Sequence, residues 1–351
     1  MDLLELTFYC MLSTFFAEPT LEHAQLTAAK PLKCSTSNVL APVVNSIIYQ
    51  SKDGGQTWQD ISQGLPVNVQ PEDFFAGESD VYMRVKNDLY RSKTNLTKPV
   101  WEKENGLDLR SPSIAFNRSG VLAYNYDGKI YRKASAADNW LPVYANSKKQ
   151  SMNNIIETSD GTLFLGSGNG LYKSADKGQS WKQVQNEGWV MDIVESDGVL
   201  IGTGQNGIMR SIDNGEHWEW VISEGGVGIA IERIEGGFAA IAYSSANQSR
   251  RIFISLDKGI TWKTIDEGLK PALSISSIKQ VGNNLLCGHP DGIYRSADMG
   301  KTWQLVQSGM AERKLVFVPT WNTATYNDSG KVFKLFVTGN EVYAVAVNSG
   351  C

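Results

Sequence analysis

Short apolar runs alternate with polar residues along most of the chain, and turn residues separate each run from the next. One example is the run at residues 191–194, which is followed by the turn at 195–198 and a second run at 199–202. A period of two, bounded by Gly, Asp, Asn and Ser, is typical of short β-strands joined by tight turns. The pattern predicts repeated units of four strands. Units of the same order begin at Ile155, Ile229 and Ile275, and looser ones at Phe74 and Ile114.

An eight-residue motif, Ser-x-Asp-x-Gly-x-Thr/Ser-Trp, follows the third strand of most units. Copies lie at residues 51–58, 174–181, 211–218, 255–262 and 296–303, and His217 replaces the hydroxyl residue in the third of these. An Asp carboxylate can accept hydrogen bonds from the backbone amides of its own turn, and Gly supplies positive φ at little cost. Trp adds a large surface that can fix the turn against its strands. The motif therefore predicts a structural corner.

These residues are expected to shape corners rather than to act as acids or metal ligands. The set consists of Asp53, Asp176, Asp213, Asp257 and Asp298 with Trp58, Trp181, Trp218, Trp262 and Trp303.

Tryptophans mark a period close to 40 residues. They stand at positions 58, 101, 140, 181, 218, 262 and 303, and those at 101 and 140 end eroded copies of the motif. Residues 46–62 form half a unit, and the strand pair at 332–337 and 342–347 supplies the missing half. The chain is therefore predicted to be an all-β, seven-bladed β-propeller of four-stranded antiparallel blades. Its N-terminal outer strands would pair with C-terminal inner strands, because closing the ring removes exposed sheet edges.

The five motif copies resemble the Asp-box, or BNR repeat, of β-propeller proteins. The resemblance spans roughly residues 45–351 and implies the propeller fold. It does not select one activity, because the repeat occurs in sialidases, xyloglucanase-type glycosidases, sortilin-like receptors and photosystem II assembly-factor propellers. Residues 1–44 do not fit the repeat and are predicted to be a separate extension. Their apolar stretch at 6–17 has the length of a signal-peptide core, but the first 29 residues contain no Lys or Arg.

Composition narrows the classes of partner. A formal net charge of −4 gives no basic excess for nucleic acid, and no apolar run approaches the roughly 20 residues of a membrane-spanning helix. Four Cys and three His lack metal-ligand spacing, so neither a metal nor another cofactor is expected. Cys287 stands in an apolar strand and is expected to be a buried thiol. We expect a monomer that is secreted, periplasmic or on the cell surface.

Binding residues are expected on the face opposite the corners. There the second-to-third-strand loops and the inter-blade loops converge, and converging loops on a rigid scaffold favour ligand sites. We call this the loop face. The insertion at 309–331 is expected to cover one face of the ring. The loop-face candidates suit a protein, peptide or carbohydrate, and they are Asp73, Arg110, Tyr126, Asp127, Trp189, Arg250, Arg251, His289, Asp291, Trp321 and Tyr326.

A non-catalytic binding role is favoured over glycoside hydrolysis. Sialidases need several arginines around one carboxylate, whereas the arginines at 91, 132, 210 and 295 share one repeat position and are spread around the ring. The Arg-Ile-Pro signature of sialidases does not occur in the sequence. A glycosidase of another type needs two carboxyl groups about 5 to 10 Å apart, and loop-face carboxylates could supply them. Hydrolysis therefore stays as the alternative.

Overall fold

The computed structural model describes residues 46–348, except 67–68, 95, 97–98, 108, 126, 135–138, 146–150, 224, 307–308 and 311–330. Within these residues, 28 strands form seven antiparallel sheets of four strands each. The predicted seven-bladed propeller is confirmed. Residues 1–44, and most of the expected insertion at 309–331, lie outside the described residues, so both remain predictions.

Blades are numbered in chain order, and the last one combines both ends of the described chain. Blade 1 contains β3 (Asp73–Ala76), β4 (Asp80–Val85), β5 (Asp88–Lys93) and β6 (Glu102–Lys103), and blade 2 contains β7 (Ser113–Asn117), β8 (Gly120–Tyr124), β9 (Lys129–Lys133) and β10 (Leu141–Ala145). Blade 3 contains β11 (Met152–Glu157), β12 (Leu163–Ser167), β13 (Gly170–Ser174) and β14 (Lys182–Gln185). Blade 4 contains β15 (Val190–Ser196), β16 (Val199–Gly204), β17 (Gly207–Ser211) and β18 (Glu219–Ile222).

The remaining strands complete the ring. Blade 5 contains β19 (Gly228–Ile234), β20 (Gly237–Ser244), β21 (Ser249–Ser255) and β22 (Lys263–Thr264); blade 6 contains β23 (Ser277–Val281), β24 (Asn284–His289), β25 (Gly292–Ser296) and β26 (Gln304–Val306); blade 7 contains β27 (Lys331–Thr338), β28 (Glu341–Asn348), β1 (Ile48–Ser51) and β2 (Gln59–Asp60).

Blade 7 closes the ring as predicted. Its strand order is β2-β1-β28-β27, so the N-terminal pair forms the outer half of the blade and the C-terminal pair the inner half. In the register, Ile48 is opposite Val345 and Tyr49 is opposite Ala344. The Tyr49 ring also packs edge-on against Phe333 with 5.8 Å between centroids. This pairing satisfies the backbone groups that would otherwise leave β28 as an open edge.

The apolar core lies between the blades. Seven hydrophobic clusters occur among the described residues, and each joins two neighbouring sheets. Between blades 4 and 5, for example, Ile201 and Ile208 pack with Ile231 and Ala240. Second strands such as β16 are buried along their whole length because a neighbouring blade covers each of their faces. The innermost strands β27, β3, β7, β11, β15, β19 and β23 contact one another in that circular order and surround a central channel.

The motif corners lie between third and fourth strands, and blade 5 illustrates their hydrogen bonds. The Ser255 hydroxyl donates to Asp257 Oδ1 at 2.8 Å and accepts from the Gly259 amide at 2.9 Å. Thr261 donates its amide to Oδ1 at 2.9 Å and its hydroxyl to Oδ2 at 2.5 Å. Trp262 Nε1 donates to the Gly259 carbonyl at 3.1 Å. The carboxylate thus accepts hydrogen bonds from the backbone and side-chain donors of its own turn.

The other four corners repeat the Ser-to-Asp hydrogen bond at 2.8 Å. His217 Nδ1 lies 2.6 Å from Asp213 Oδ2, so the imidazole takes the place of the missing hydroxyl. Trp303 differs from Trp262 because its Nε1 donates to the Ile265 carbonyl of the preceding blade at 2.6 Å. Positive φ is not confined to the motif glycine, since the residue before it also adopts it at Gly54, Lys177, Asn214, Lys258 and Met299.

Blades 1 and 2 use a buried ion pair at the eroded corners. Lys133 occupies the position that Ser has in the intact copies, and its side chain is 0% exposed. Its Nζ lies 2.6 Å from Glu104 Oε1 and 4.5 Å from the centroid of the Trp140 ring. Trp140 Nε1 donates to the same Glu104 oxygen at 3.0 Å. Lys133 therefore ties blade 2 to blade 1.

Candidate functional site: the loop face

The loop face carries a pocket of about 350 Å³ between blades 5 and 6. Two of the predicted candidates, Arg250 and Arg251, line it together with the inter-blade segment at 266–271. Arg250 anchors the residues that directly follow that segment, because its amide donates to the Ala272 carbonyl and its Nη1 to the Ile275 carbonyl, both at 2.9 Å. We call this cavity the blade 5–6 pocket.

Arg251 forms a two-pronged ion pair with Asp266. Its Nε and Nη2 lie 2.5 and 2.8 Å from the two carboxylate oxygens. The Asp266 side chain is only 9% exposed. Bidentate pairing of this kind fixes both geometry and charge. Arg251 therefore stiffens the pocket wall and presents a neutral pair to a ligand.

His289 and Asp291 border the same segment through Lys270. The Asp291 amide donates to His289 Nδ1 at 3.1 Å, so the ring carries its proton on Nε2, which donates to the Lys270 carbonyl at 2.9 Å. His289 is 1% exposed. Lys270 Nζ lies 3.2 Å from Asp291 on the exposed rim. Four predicted candidates thus meet around one segment, and His289 acts there by positioning it.

The remaining candidates do not join this group. Trp189 is half-buried before β15, and its carbonyl accepts from the Gln205 amide at 3.0 Å. Arg110 and Asp127 are exposed near blade 2, where Asn125 donates to the Arg110 carbonyl at 3.3 Å and to Asp127 Oδ2 at 3.2 Å. Asp73 lies in the central channel. Three candidates fall outside the described residues: Tyr126, Trp321 and Tyr326.

The channel forms a second cavity, of about 700 Å³, at the centre of the ring. Asp73, Asp192 and Lys279 each stand among the first three residues of an inner strand, and inner strands begin at the loop face. Lys334 Nζ is 3.3 Å from Asp73 Oδ1, and Lys279 Nζ is 2.5 Å from Glu232 Oε2. Charged groups of four blades therefore line the channel here, and Glu232 of a fifth blade pairs with one of them.

Sequence reasoning missed every member of this channel group except Asp73. A usable signal was present, because Asp192 interrupts the apolar residues of β15 and Lys334 interrupts those of β27. Charged residues inside an apolar run are rarely buried without a partner. Lys334 and Asp192 are far apart in the chain, and only the closed ring brings their strands to one channel.

Metal-binding groups and membrane-spanning helices are both absent from the described residues. Among the described residues, no group of three or more His, Cys, Asp and Glu side chains is arranged to hold a metal ion. Over the same part of the chain, no helix has the length and apolar character needed to cross a membrane.

A search of protein families and a search of curated proteins find no match to this chain. Solved structures do match. The extracellular domain of the B. thetaiotaomicron protein BT4673 is 12% identical over 72% of this chain, with a TM-score of 0.57, and this chain spans 36% of its length. YCF48 bound to D1 peptide is 14% identical over 81% of this chain and 94% of its own, with a TM-score of 0.54.

A catalytically inactive virginiamycin B lyase from Staphylococcus aureus, solved with quinupristin, is 14% identical. The match covers 80% of this chain and 96% of the lyase, with a TM-score of 0.57. At such identities the likeness shows a shared seven-bladed propeller fold. One of these neighbours carries a bound peptide and another is an enzyme, so the fold by itself does not assign an activity.

Proposed function

We propose that the chain is a non-catalytic propeller that binds a protein, peptide or glycan on its loop face, with the blade 5–6 pocket as anchor. The observation that carries the proposal is the meeting of Arg250, Arg251, His289 and Asp291 around one inter-blade segment. Their hydrogen bonds preorganise the pocket wall, and a preorganised site loses less entropy when a ligand binds.

A peptide fits this pocket better than a glycan. Sugars are commonly held by aromatic faces, and none of the described lining residues is aromatic. The lining instead offers backbone-like polar groups, such as the Asn247 amide, next to apolar Leu269, Pro271 and Ile275. The Ser249 hydroxyl is buried in the pocket wall and has no hydrogen-bond partner within the described part of the chain. The peptide bound by YCF48, which shares the fold, supports the same interpretation.

Two of the carboxylates at this pocket are held in ion pairs, which leaves Glu267 as the lining carboxylate without one among the described residues, whereas glycoside hydrolysis needs two carboxyl groups. Asp266 is held by Arg251, and Asp291 by Lys270. Among the described residues, a group suited to hydrolysis lies in the channel, where burial raises the pKa of Asp192 and could keep it protonated as a general acid. A panel of chromogenic glycosides, including a sialoside, tests this second function. Turnover that disappears in an Asp192→Asn variant would establish it.

The binding role is tested by charge reversal on the pocket rim. Lys270 is 80% exposed, so Lys270→Glu changes the rim with little effect on folding. The matched control is Lys301→Glu, an exposed lysine in the blade 6 corner on the opposite face. Peptides selected from a displayed random library, and a glycan array, should lose affinity about tenfold for Lys270→Glu alone. Equal binding by both variants and the parent chain would refute the proposed face.

A location outside the cell is part of the proposal. It is consistent with the extracellular domain of BT4673, which shares the fold. A monomeric state is likewise proposed and can be checked by size-exclusion chromatography with light scattering.

A further inference from the structure

Asp192 lies near the loop-face end of the channel and forms no salt bridge with a described residue. Glu157 and Glu195 also line the channel without a described salt bridge, but they stand at the far ends of their strands. Every described cation near it has another partner: Lys279 is paired with Glu232, Lys334 with Asp73, and Arg84 lies 3.5 Å from Glu72 and 3.9 Å from Asp73. Arg118 and Arg233, which also line the channel, stand at the far ends of their strands, away from the loop face.

One oxygen of Asp192 is fixed and the other is available. Oδ1 accepts from the Asn154 side chain at 2.5 Å and from the Ile193 amide at 2.9 Å. Oδ2 has no hydrogen-bond partner among the described residues, and Asp192 lines the channel cavity. The two donors hold the carboxylate in one orientation, so a ligand need not order it on binding.

Apolar residues line the same cavity near Asp192. Met191 precedes Asp192 on β15 and is 47% exposed, and Ile229 is the second residue of the neighbouring inner strand, β19, with part of its surface accessible. A methionine at a binding surface adapts its shape to its partner. Such a rim can cover the aliphatic stem of a long basic side chain whose charged end reaches inward.

We propose that Asp192 anchors a basic side chain, a lysine ammonium or an arginine guanidinium, of the peptide that the loop face binds. The inference rests on the proposed binding function and adds the chemical class of the ligand group. A cation restores the missing ion pair through Oδ2, while Met191 and Ile229 pack on its stem. An acidic group would instead have to displace Glu232 or Asp73 from their lysines and approach Asp192 directly.

The titration of Asp192 determines whether the affinity for a basic side chain rises or falls with pH. Burial raises the pKa of Asp192, and the neighbouring groups that act on it are Lys279, Glu232 and Lys334; Asp73, Arg84 and Tyr124 complete the surrounding wall. A cation binds the ionised carboxylate, so its affinity should rise with pH through the Asp192 titration and its binding should release a proton. A ligand that needs the protonated carboxyl would show the reverse.

The test uses the full-length chain and four blocked pentapeptides, acetyl-Gly-Gly-X-Gly-Gly-amide, with X as lysine, arginine, norleucine or glutamate. Norleucine keeps the stem of lysine without its charge. Calorimetry in buffers of different ionisation enthalpy measures affinity and proton release together. We expect the lysine and arginine peptides to bind at least tenfold more tightly than the norleucine peptide, and Asp192→Asn to remove that difference.

The matched control is Asp197→Asn, in the turn that follows the same strand at its other end. Its positive φ of 51° suits asparagine, so the substitution should preserve both the fold and the preference for basic peptides. Equal binding of lysine and norleucine, tighter binding of glutamate, or an unchanged preference in Asp192→Asn would each overturn the inference. If no pentapeptide binds while library-selected peptides do, the inference fails and the proposed function stands; if neither binds, both fail.

Discussion

Arg210 Nε donates a hydrogen bond to the Lys258 carbonyl at 2.8 Å, which joins the third strand of blade 4 to the corner of blade 5. Lys258 and the motif glycine that follows it are the two positive-φ residues of that corner. The residue before the motif Ser, or before Lys133 at the same position in blade 2, makes the same link in other blades. The donors and acceptor carbonyls are Arg132 with Lys177 at 3.3 Å, Lys173 with Asn214 at 2.8 Å and Arg295 with Gly54 at 3.3 Å.

These links give a structural reason for the basic residues at one repeat position. In each linked corner, the carbonyl of the positive-φ residue before the motif glycine accepts a hydrogen bond from a side chain of the preceding blade. Gly259, the next residue, permits the close approach: a Cβ there would lie 2.6 Å from the Ile201 side chain. The spread of these cations around the ring thus serves the contacts between blades.

The Arg210 link should stabilise the ring measurably. Arg210→Met removes a buried hydrogen bond from a charged donor, so unfolding free energy should fall by about 1.5–3 kcal/mol. Arg210 also contacts Glu219 at 2.7 Å, but Glu219 is 65% exposed. Glu219→Gln is therefore the control and should cost under about 1 kcal/mol. Denaturant titration compares the two, and equal losses would show that the exposed ion pair, not the carbonyl link, matters.

The buried Lys133 should be more sensitive than any surface lysine. Lys133→Met removes the nearer cation of Glu104, which is only 12% exposed, and leaves Arg91 at 3.7 Å. The loss should therefore be at most the roughly 3–5 kcal/mol that breaking a buried pair costs. Adding Glu104→Gln to that variant should recover part of the loss, because the two side chains interact directly. The control is Lys103→Met, whose lysine is 53% exposed and should tolerate the change. A double variant that loses the sum of both single effects would contradict the coupling.

Acid should weaken the corners in a defined window. Hydrogen bonds from the Thr302 hydroxyl, the Thr302 amide and the Ser296 hydroxyl lower the pKa of Asp298 from 3.8 to about 2. On acidification the unfolded chain takes up the proton first, so this stabilisation is complete above about pH 4 and is lost toward pH 2. Asp298→Asn should therefore flatten the dependence of stability on pH between 4 and 2. An unchanged slope in equilibrium unfolding would refute the structural role of the carboxylate.

The fold was predictable from sequence because its evidence is local and repeated. One motif marks where the third strand of a blade ends and the fourth begins. The chain also has half a unit near each end, around Tyr49 and Val345, which implies that these two halves pair and close the ring. The site was less predictable because it depends on which strands face each other across the ring. Arg250 and Arg251 were found as a charged loop, whereas Asp192 is a single residue within an apolar strand and is understood only beside Lys279.

Ring closure supplies a prediction about truncation. A chain beginning at residue 45 should keep the seven blades, since the repeat is predicted to start there. A chain beginning at residue 63 lacks β1 and β2, which leaves β28 as an open edge and uncovers Val345, now 0% exposed. Open apolar edges promote strand pairing between molecules, so the shorter chain should aggregate in size-exclusion chromatography while the longer one elutes as the full-length protein does. A soluble, cooperatively unfolding chain from residue 63 would show that the seam is dispensable.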